Sequence, residues 1–473
     1  MLGDSVTQFS LVIGAYLFAM GIGSYLSRFV DKDLLAWFIR LELAVGLIGG
    51  FSALMLFVTF ARDGAFRLVL YLTVGGVGIG VGLEIPLLIR ILENRMKLRD
   101  LVARVLFFDY LGALIASVAF PLFLVPKLGL IKTSLLLGIV NAFVGIWIVF
   151  LFAKDLRSPR RLALEAMVCI ILLGGGLAYG EELTQMVEDD LFPHEIVQAR
   201  TSRYQRIVVT KSPGGEVRLY LNNHLQFSSL DEYRYHEALT HPPLAVAPPG
   251  PLQVLVLGGG DGMAVRELLR SPDVEAVTLV DLDPEMTEIF TTHSDLTALN
   301  GDALNSEKVT VVNDDAMAWL ENDNHTFDVV LIDFPDPSSY SVGKLYTRTF
   351  YAMVGAHLKP GGVVSVQSTS PLVARQSFWC IDATMRDVGF KTRPYHVLVP
   401  SFGEWGFVLA SLDPFPLPAR LRAGIDDYRF LTNATLPTLF QFPADMARVE
   451  APVNRLNQQH LVRLYDEEWN AIH

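Results

Sequence analysis

Aspartates follow four short apolar runs in the second half of the chain, where carboxylates could bind a cation or accept a proton. The acids after these runs are Asp261, Asp281, Asp314, Asp315 and Asp333. Because parallel strands end at one edge of a sheet, we expect Asp261, Asp281, Asp315 and Asp333 to converge on one crevice. A single aspartate after a strand is as often a helix cap or turn residue, whereas four in register indicate a shared site.

A glycine-rich loop, Gly258 to Gly262, joins the first apolar run to a predicted helix that begins at Met263. Glycines allow the backbone to approach a ligand closely, and the start of a helix offers unpaired N–H groups. About twenty residues later Asp281 ends the second predicted strand, where a carboxylate can accept both ribose hydroxyls. The pattern predicts an α/β Rossmann-like nucleotide-binding domain.

The first part of the chain has a different character, because the apolar residues that make up 51% of the 473 residues are concentrated there. Six stretches are long enough to cross about 30 Å of hydrocarbon. They are residues 9–27, 34–60, 66–90, 105–126, 133–153 and 162–180. We expect a multi-pass helical bundle in the lipid bilayer of the cell's inner membrane.

Basic residues are gathered in alternate loops between these stretches, which by the positive-inside rule face the cytoplasm. They are Arg28, Lys32, Arg95, Lys97, Arg99, Arg104, Lys154, Arg157, Arg160 and Arg161. Six crossings would place the soluble part on the opposite face, whereas a re-entrant last stretch would not. We expect a cytoplasmic soluble domain.

Three acids, Glu42, Glu84 and Asp109, lie within the predicted spans. They favour structural pairing with arginines near the helix ends, and the alternative is a polar pathway for a substrate.

The remaining composition restricts the possible partners and the domain organisation. The net charge of −12 argues against nucleic acid and favours a small cationic substrate. Two cysteines form no disulfide framework, and the histidines lack the spacing of metal ligands, so we expect no metal site. We divide the chain into a transmembrane domain (1–180), a small β-hairpin module (190–250), the Rossmann-like domain (251–415) and a C-terminal extension (416–473).

The order and spacing of the motifs resemble the spermidine synthase family of polyamine aminopropyltransferases, in its membrane-fused bacterial form. The resemblance spans about residues 195–410. It is carried by Gly258–Gly262, Asp281-Leu282-Asp283, Asp314-Asp315 and Asp333-Phe334-Pro335-Asp336-Pro337. Arg203-Tyr204-Gln205 and the segment from Asp231 to Glu237 resemble the amino-terminal β module of that family.

The resemblance implies a role for each matching residue. Asp333 would be the catalytic acid–base, assisted by Tyr235. The residues implied to bind the donor are Gln205, Gly258, Gly260, Asp261, Asp281, Asp314 and Asp315. Those implied to bind substrate groups are His236, Asp261 for the aminopropyl ammonium, and Asp336 for the amine. Asp281 replaces the usual glutamate, and Thr369 stands where relatives often have an acid.

The implied reaction transfers the aminopropyl group of decarboxylated S-adenosylmethionine, a cosubstrate and not a resident cofactor, to putrescine or a similar diamine. Its products would be spermidine and methylthioadenosine, made by a homodimer. A pocket of carboxylates suits this donor, which keeps a sulfonium and an ammonium but lacks the carboxylate of S-adenosylmethionine. The alternatives are an S-adenosylmethionine-dependent methyltransferase and a non-catalytic polyamine sensor or transporter.

Overall fold

The computed structural model describes residues 5–61, 65–93, 96–183 and 191–471. They form two compact units, one from Val6 to Glu195 and the other from Ile196 onward. Arg95, one of the predicted loop cations, lies outside the described residues.

The first unit is helical. Its long helices are α1 (Ser5–Leu26), α2 (Leu34–Ala61), α3 (Phe66–Leu92), α4 (Leu98–Ala119), α5 (Val125–Leu151) and α6 (Pro159–Ala178). Helices α2, α5 and α6 share an apolar core that includes Ile39, Leu135 and Leu173. Large apolar side chains also face outward, such as Phe18 and Trp147, with 73% and 67% of their surface exposed.

The number of apolar segments differs from the six predicted. By length and composition, five segments of the described chain could cross a membrane. The fourth and fifth predicted stretches lie within one apolar run, Leu98–Leu151, which consists of α4, the π-helical turn Phe120–Leu124 and α5. Gly129 interrupts this run with non-helical dihedral angles.

Two arginines near the helix ends pair with acids other than the three that lie within the predicted spans. The Arg40 guanidinium lies 3.0 Å from Glu165, and that of Arg90 lies 3.5 Å from Asp31. The predicted pairing of Glu42, Glu84 and Asp109 therefore stays a prediction.

The second unit begins with a four-stranded sheet in the order β1-β2-β3-β4 and continues with a seven-stranded sheet. The strands of the small sheet are β1 (Glu195–Thr201), β2 (Arg206–Lys211), β3 (Val217–Leu221) and β4 (His224–Ser228). Those of the large sheet are β5 (Leu252–Gly258), β6 (Val274–Asp281), β7 (Val309–Asn313), β8 (Phe327–Asp333), β9 (Leu358–Gln367), β10 (Lys391–Val399) and β11 (Gly403–Ser411).

The large sheet has the order β10-β11-β9-β8-β5-β6-β7, and β5 to β9 are parallel where they pair. Successive strands β6 and β7 lie on one side of β5, whereas β8 and β9 lie on the other. The carboxyl end of β5 is therefore a topological switch point, the place where open α/β sheets bind ligands. The predicted Rossmann-like α/β fold is confirmed.

Both faces of this sheet are covered, which explains why its strands are continuously apolar. Val254 and Val256 belong to one core cluster, and Leu255 and Leu257 belong to the other. The helices of the unit are α7 (Glu232–Val246), α8 (Met263–Leu269), α9 (Pro284–Thr292), α10 (Ser294–Leu299), α11 (Ala316–Asn322), α12 (Tyr340–Gly343), α13 (Arg348–Ala356), α14 (Arg375–Val388) and α15 (His460–Asn470).

The segment from Asp231 to Glu237 was expected in the β module, but it forms the start of helix α7. This helix packs its buried Ala238, Leu239 and Leu244 into the same core as Val254 of β5. Helix α7 therefore lies against the large sheet, where its side chains can reach the carboxyl ends of the strands.

Helix α7 also fixes the chain that follows β11. The carboxylate of Glu237, which is fully buried, accepts hydrogen bonds from three consecutive backbone N–H groups. Its Oε1 lies 2.7 Å from the nitrogen of Arg429, and its Oε2 lies 3.0 Å and 2.8 Å from those of Phe430 and Leu431.

Replacing Glu237 by glutamine should destabilise the second unit by about 1–3 kcal/mol, because the amide NH₂ would face the Arg429 N–H and leave it without an acceptor. Thermal unfolding of the full chain in detergent should show a melting temperature lower by about 2–8 °C. The control is Glu321→Gln, at an exposed position of α11. Equal melting temperatures for the two variants would contradict the anchoring role.

Candidate active site

Asp333 and Tyr235 form the central pair of the crevice. Asp333 is the last residue of β8, and the Tyr235 hydroxyl from α7 donates a hydrogen bond to its Oδ1 at 2.5 Å. The Tyr235 ring is held against Phe407 of β11, with ring centroids 5.2 Å apart. The pair is thus fixed from two elements that are distant in sequence.

The surroundings of this pair suit proton transfer. Burial raises the pKa of Asp333 to about 6, and repulsion by Asp261 adds to burial, while His236 and the Tyr235 hydrogen bond act against them. Burial, followed by the negative charge of Asp333, raises the pKa of Tyr235 well above its ordinary value. At neutral pH Tyr235 is therefore a donor and Asp333 an ionised acceptor.

The glycine loop fits between two of the acids because Gly259 and Gly260 have no side chains. The Gly260 N–H donates to Asp281 Oδ2 at 3.0 Å, and a Cβ at Gly260 would lie only 2.7 Å from that oxygen. Gly259 has φ of +67°, and a Cβ there would lie 3.0 Å from Asp333 Oδ2. Gly258 is the register partner of Asp333 and begins this loop. A side chain at Gly259 or Gly260 would push the two aspartates out of place.

Asp281 ends β6 on the other side of the loop. Its Oδ1 accepts a hydrogen bond from the Asp283 N–H at 2.8 Å. Burial raises the pKa of Asp281 to about 6, although hydrogen bonds from the Asp283 and Gly260 backbones lower it. Gln205 joins this region from the small sheet, since its Nε2 donates to Asp283 Oδ2 at 3.0 Å. The predicted Gln205 therefore lies beside the predicted ribose acid.

Asp261 lies among these acids. Only 9% of its surface is exposed, and its Oδ1 accepts a hydrogen bond from the Met263 N–H at the start of α8, at 2.9 Å. Its negative charge acts on both Asp281 and Asp333. The structure thus brings together three of the four aspartates that were expected to converge.

The fourth, Asp315, lies further along the edge, beyond β6. It caps helix α11 through hydrogen bonds from Met317 and Ala318 and lies 2.6 Å from the Nζ of Lys344. Burial tends to raise the pKa of Asp315, but the Lys344 hydrogen bond and the helix N–H groups lower it overall. Asp314 accepts a hydrogen bond from the Asp315 N–H. Asp315 therefore caps helix α11 and also lies at the carboxyl edge of the sheet.

His236 is almost fully buried behind Tyr235, and the centroids of the two rings are 5.1 Å apart. Its Nδ1 lies 2.8 Å from Glu232 Oε2, and Glu232 is held in turn by Arg266 at 2.9 Å. Burial lowers the pKa of His236, but Glu232, Asp261 and Asp333 raise it overall. The three acids thus favour the protonated form of His236, which lies behind the pair. Its contact with substrate stays a prediction.

Asp336 belongs to a second cluster of polar side chains, together with Gln367 and Thr369. No function was assigned to these two residues from the sequence. Gln367 Nε2 donates to Asp336 Oδ1 at 2.9 Å, and the Thr369 hydroxyl donates to Asp336 Oδ2 at 3.0 Å. Thr369 is fully buried with φ of +58°, a strained conformation for a β-branched residue that is typical of functional sites. The sequence feature that could have indicated this cluster is the run of polar residues at the end of the apolar strand β9.

Comparison with known proteins agrees with this geometry. Residues 232–416 match the family model of the spermine/spermidine synthase domain. A polyamine aminopropyltransferase of Leptospira interrogans is 50% identical over 100% of this chain and 94% of its own length, and one of Oceanobacillus iheyensis is 41% identical over 99% and 92%.

A solved spermidine synthase in complex with the transition state analogue AdoDATO is 28% identical, with a TM-score of 0.48, over 52% of this chain and 85% of that one. Relatives of high identity match the chain along its whole length. The chain therefore belongs to the spermidine synthase family, in its larger N-terminally extended bacterial form, and is a transferase of the polyamine aminopropyltransferase type.

Proposed function

We propose that the protein transfers the aminopropyl group of decarboxylated S-adenosylmethionine to putrescine or a similar diamine. The products are spermidine, when putrescine is the acceptor, and methylthioadenosine. The observation that carries this proposal is the hydrogen-bonded pair of Tyr235 and Asp333 beside a glycine loop and two further aspartates.

The donor is selected by charge. Its sulfonium and ammonium are both positive, and Asp261, Asp281 and Asp333 supply negative charge on either side of the loop. Asp281 and the neighbouring Gln205 bind the nucleoside, with Asp281 accepting the ribose hydroxyls. Asp261 attracts the aminopropyl ammonium and repels the carboxylate of S-adenosylmethionine. A methyltransferase, which must accept that carboxylate, is accordingly disfavoured.

The acceptor must lose a proton before it can attack, since aliphatic ammonium groups have pKa values of about 10. Asp333 takes this proton, and Tyr235 keeps the carboxylate in position. The nitrogen lone pair then forms a bond to the carbon next to sulfur, and the electrons of the C–S bond pass to the sulfonium. Sulfur leaves as the neutral thioether of methylthioadenosine, and the far ammonium of the diamine lies at Asp336.

We further propose that the helical unit anchors the enzyme in the cell's inner membrane, with the catalytic unit on the cytoplasmic side. Support comes from the five long apolar segments and from the large side chains on their outer faces, including Phe18 and Trp147. Such a surface requires an apolar surrounding.

Asp333→Asn should reduce kcat by about 10²- to 10⁴-fold, because asparagine cannot accept the proton of the attacking amine. The assay supplies decarboxylated S-adenosylmethionine with a panel of diamines and identifies the products by mass. Asp295→Asn, which removes a surface partner of Lys211, should leave turnover unchanged. Undiminished turnover by Asp333→Asn would remove Asp333 from its role, and methylated products would exclude aminopropyl transfer.

The rate of the enzyme should also decrease at acidic pH, in a range set by the pKa of Asp333. Asp333 must be ionised to act as a base, so kcat/KM for the donor should decrease as the pH falls through about 6, the pKa to which burial raises this group. Tyr235→Phe removes a hydrogen bond that lowers this pKa, so the decline should begin at higher pH. A pH–rate profile of both proteins measures the shift, and identical profiles would contradict the assigned pairing.

A further inference from the structure

The C-terminal extension is packed firmly onto the second unit. It lies beyond the matched family domain, which ends at residue 416. Its last helix, α15, packs Leu461 and Leu464 into one of the two core clusters of the large sheet. The Glu468 carboxylate of this helix accepts hydrogen bonds from the N–H groups of Gln376 and Ser377 at the start of α14, at 2.7 Å and 3.0 Å.

Asn454, a fully buried residue of the extension, binds the chain that leads into α13. Its Nδ2 donates hydrogen bonds to the carbonyls of Tyr346 and Gly343, at 3.0 Å and 3.3 Å. Its own carbonyl accepts a hydrogen bond from the N–H of Arg348 at 2.9 Å. Its N–H donates in turn to the Thr384 hydroxyl of α14 at 2.8 Å. Asn454 thus binds this chain at three points and is itself held by α14.

The segment between β8 and α13, residues 334–347, carries Lys344 to the carboxyl edge of the sheet. Lys344 begins the 3-10 turn Lys344–Tyr346 and lies between the two carbonyls that Asn454 binds. Its Nζ lies 2.6 Å from Oδ2 of Asp315. The position of this turn therefore sets the position of the lysine.

We propose that Asn454 is a positioning residue of the donor site, because it fixes the turn from which Lys344 reaches Asp315. The inference rests on the proposed function, and within it on Asp315 as the acceptor for the adenine amino group of the donor. It assigns a role in donor binding to a segment that lies beyond the matched family domain.

The two oxygens of Asp315 explain what Lys344 does. An ionised carboxylate offers about four acceptor positions. The N–H groups of Met317 and Ala318 bind Oδ1, at 3.0 Å and 3.2 Å, and Lys344 takes one position on Oδ2. An amino group must then use the other position on Oδ2, so Lys344 determines the direction from which adenine can approach.

Lys344 needs a fixed backbone to do this. Its side chain is 32% exposed, and an ion pair at such a position gains little because ordering the side chain costs entropy. The buried hydrogen bonds of Asn454 order the turn in advance and so reduce that cost. Helix α15 limits the turn from the other side, since a Cβ at Gly343 would lie 2.4 Å from Val462 Cγ2.

The test compares Lys344→Met, Asn454→Asp and the double variant in the full chain. Methylthioadenosine is neutral, so its Kd reports the adenine contact without the charge of the donor. Lys344→Met should raise this Kd about fivefold, the upper range for an exposed ion pair. Asn454→Asp turns an oxygen toward the two carbonyls in place of N–H donors and should raise the Kd by a similar factor. The double variant should bind no more weakly than Lys344→Met, because Asn454 acts through Lys344.

The kcat at saturating substrates should stay within about twofold of the wild type in all three variants, since Asp333 and Tyr235 lie outside these contacts. Arg463→Gln is the control, because it changes a residue of α15 whose side chain is exposed. Its Kd for methylthioadenosine should equal that of the wild type.

Gly343→Ala tests the same contact even if Asn454→Asp does not fold. The added Cβ would collide with Val462 Cγ2, displace the turn and raise the Kd for methylthioadenosine about fivefold. Val462→Ala in the same chain removes that atom and should restore the Kd to within about twofold of the wild type. Unchanged binding by Gly343→Ala, or no restoration, would contradict the inference.

Two further results would overturn the inference alone. One is a Kd of Lys344→Met equal to that of the wild type. The other is a double variant in which the effects of the two substitutions multiply, which would indicate that Asn454 does not act through Lys344. Absence of aminopropyl product from the wild-type protein would instead overturn the proposed function.

Discussion

Negative charge concentrated in a small volume is the constraint on which the site depends. Asp261, Asp281 and Asp333 lie around one glycine loop, and repulsion by Asp261 adds to the effect of burial in raising the pKa of the other two. Such an arrangement is costly unless a cation or a proton compensates it. In the proposed function, a donor with a sulfonium and an ammonium supplies that compensation when it binds, so the unfavourable repulsion among the acids contributes to the affinity for the donor.

The protein limits this cost in two ways. Backbone N–H groups of the loop and of the following turns bind the aspartates, as Gly260 and Asp283 do for Asp281. Behind Tyr235, the half-buried Arg266 pairs with the buried Glu232, which in turn binds the buried His236, and the charge of His236 lowers the pKa of Asp333. The same order of strands that creates the switch point at β5 brings these groups together from elements far apart in sequence.

Local features of the site could be predicted from the sequence. Gly258 to Gly262, Asp281 and Asp333 each follow or end an apolar run that is typical of a buried strand. The alternation of such runs with predicted helices was therefore sufficient to place these residues at one edge of the sheet. The position of Asp315 was less predictable, because an aspartate after a strand serves equally well as the cap of the next helix, which is what it does here. The roles assigned to these residues are still predictions.

Other features depend on contacts that sequence spacing does not encode. Lys344 at Asp315 and Thr369 at Asp336 come from distant segments. The segment around Tyr235 was assigned to the β module by its resemblance to that of the family, whereas it forms the start of helix α7, which packs into the core that contains Val254 of β5. In the first unit, the fourth and fifth apolar stretches lie within one run, Leu98–Leu151, and the residues between them include Gly129, whose dihedral angles are not helical.

The most direct test of the charge argument is the affinity of the protein for two donors that differ by one carboxylate. Isothermal titration of the wild type should show decarboxylated S-adenosylmethionine binding about 100-fold more tightly than S-adenosylmethionine, because like charges in contact cost several kcal/mol. In Asp261→Asn the ratio should fall to within about tenfold. Equal affinity of the wild-type protein for the two donors would contradict the account.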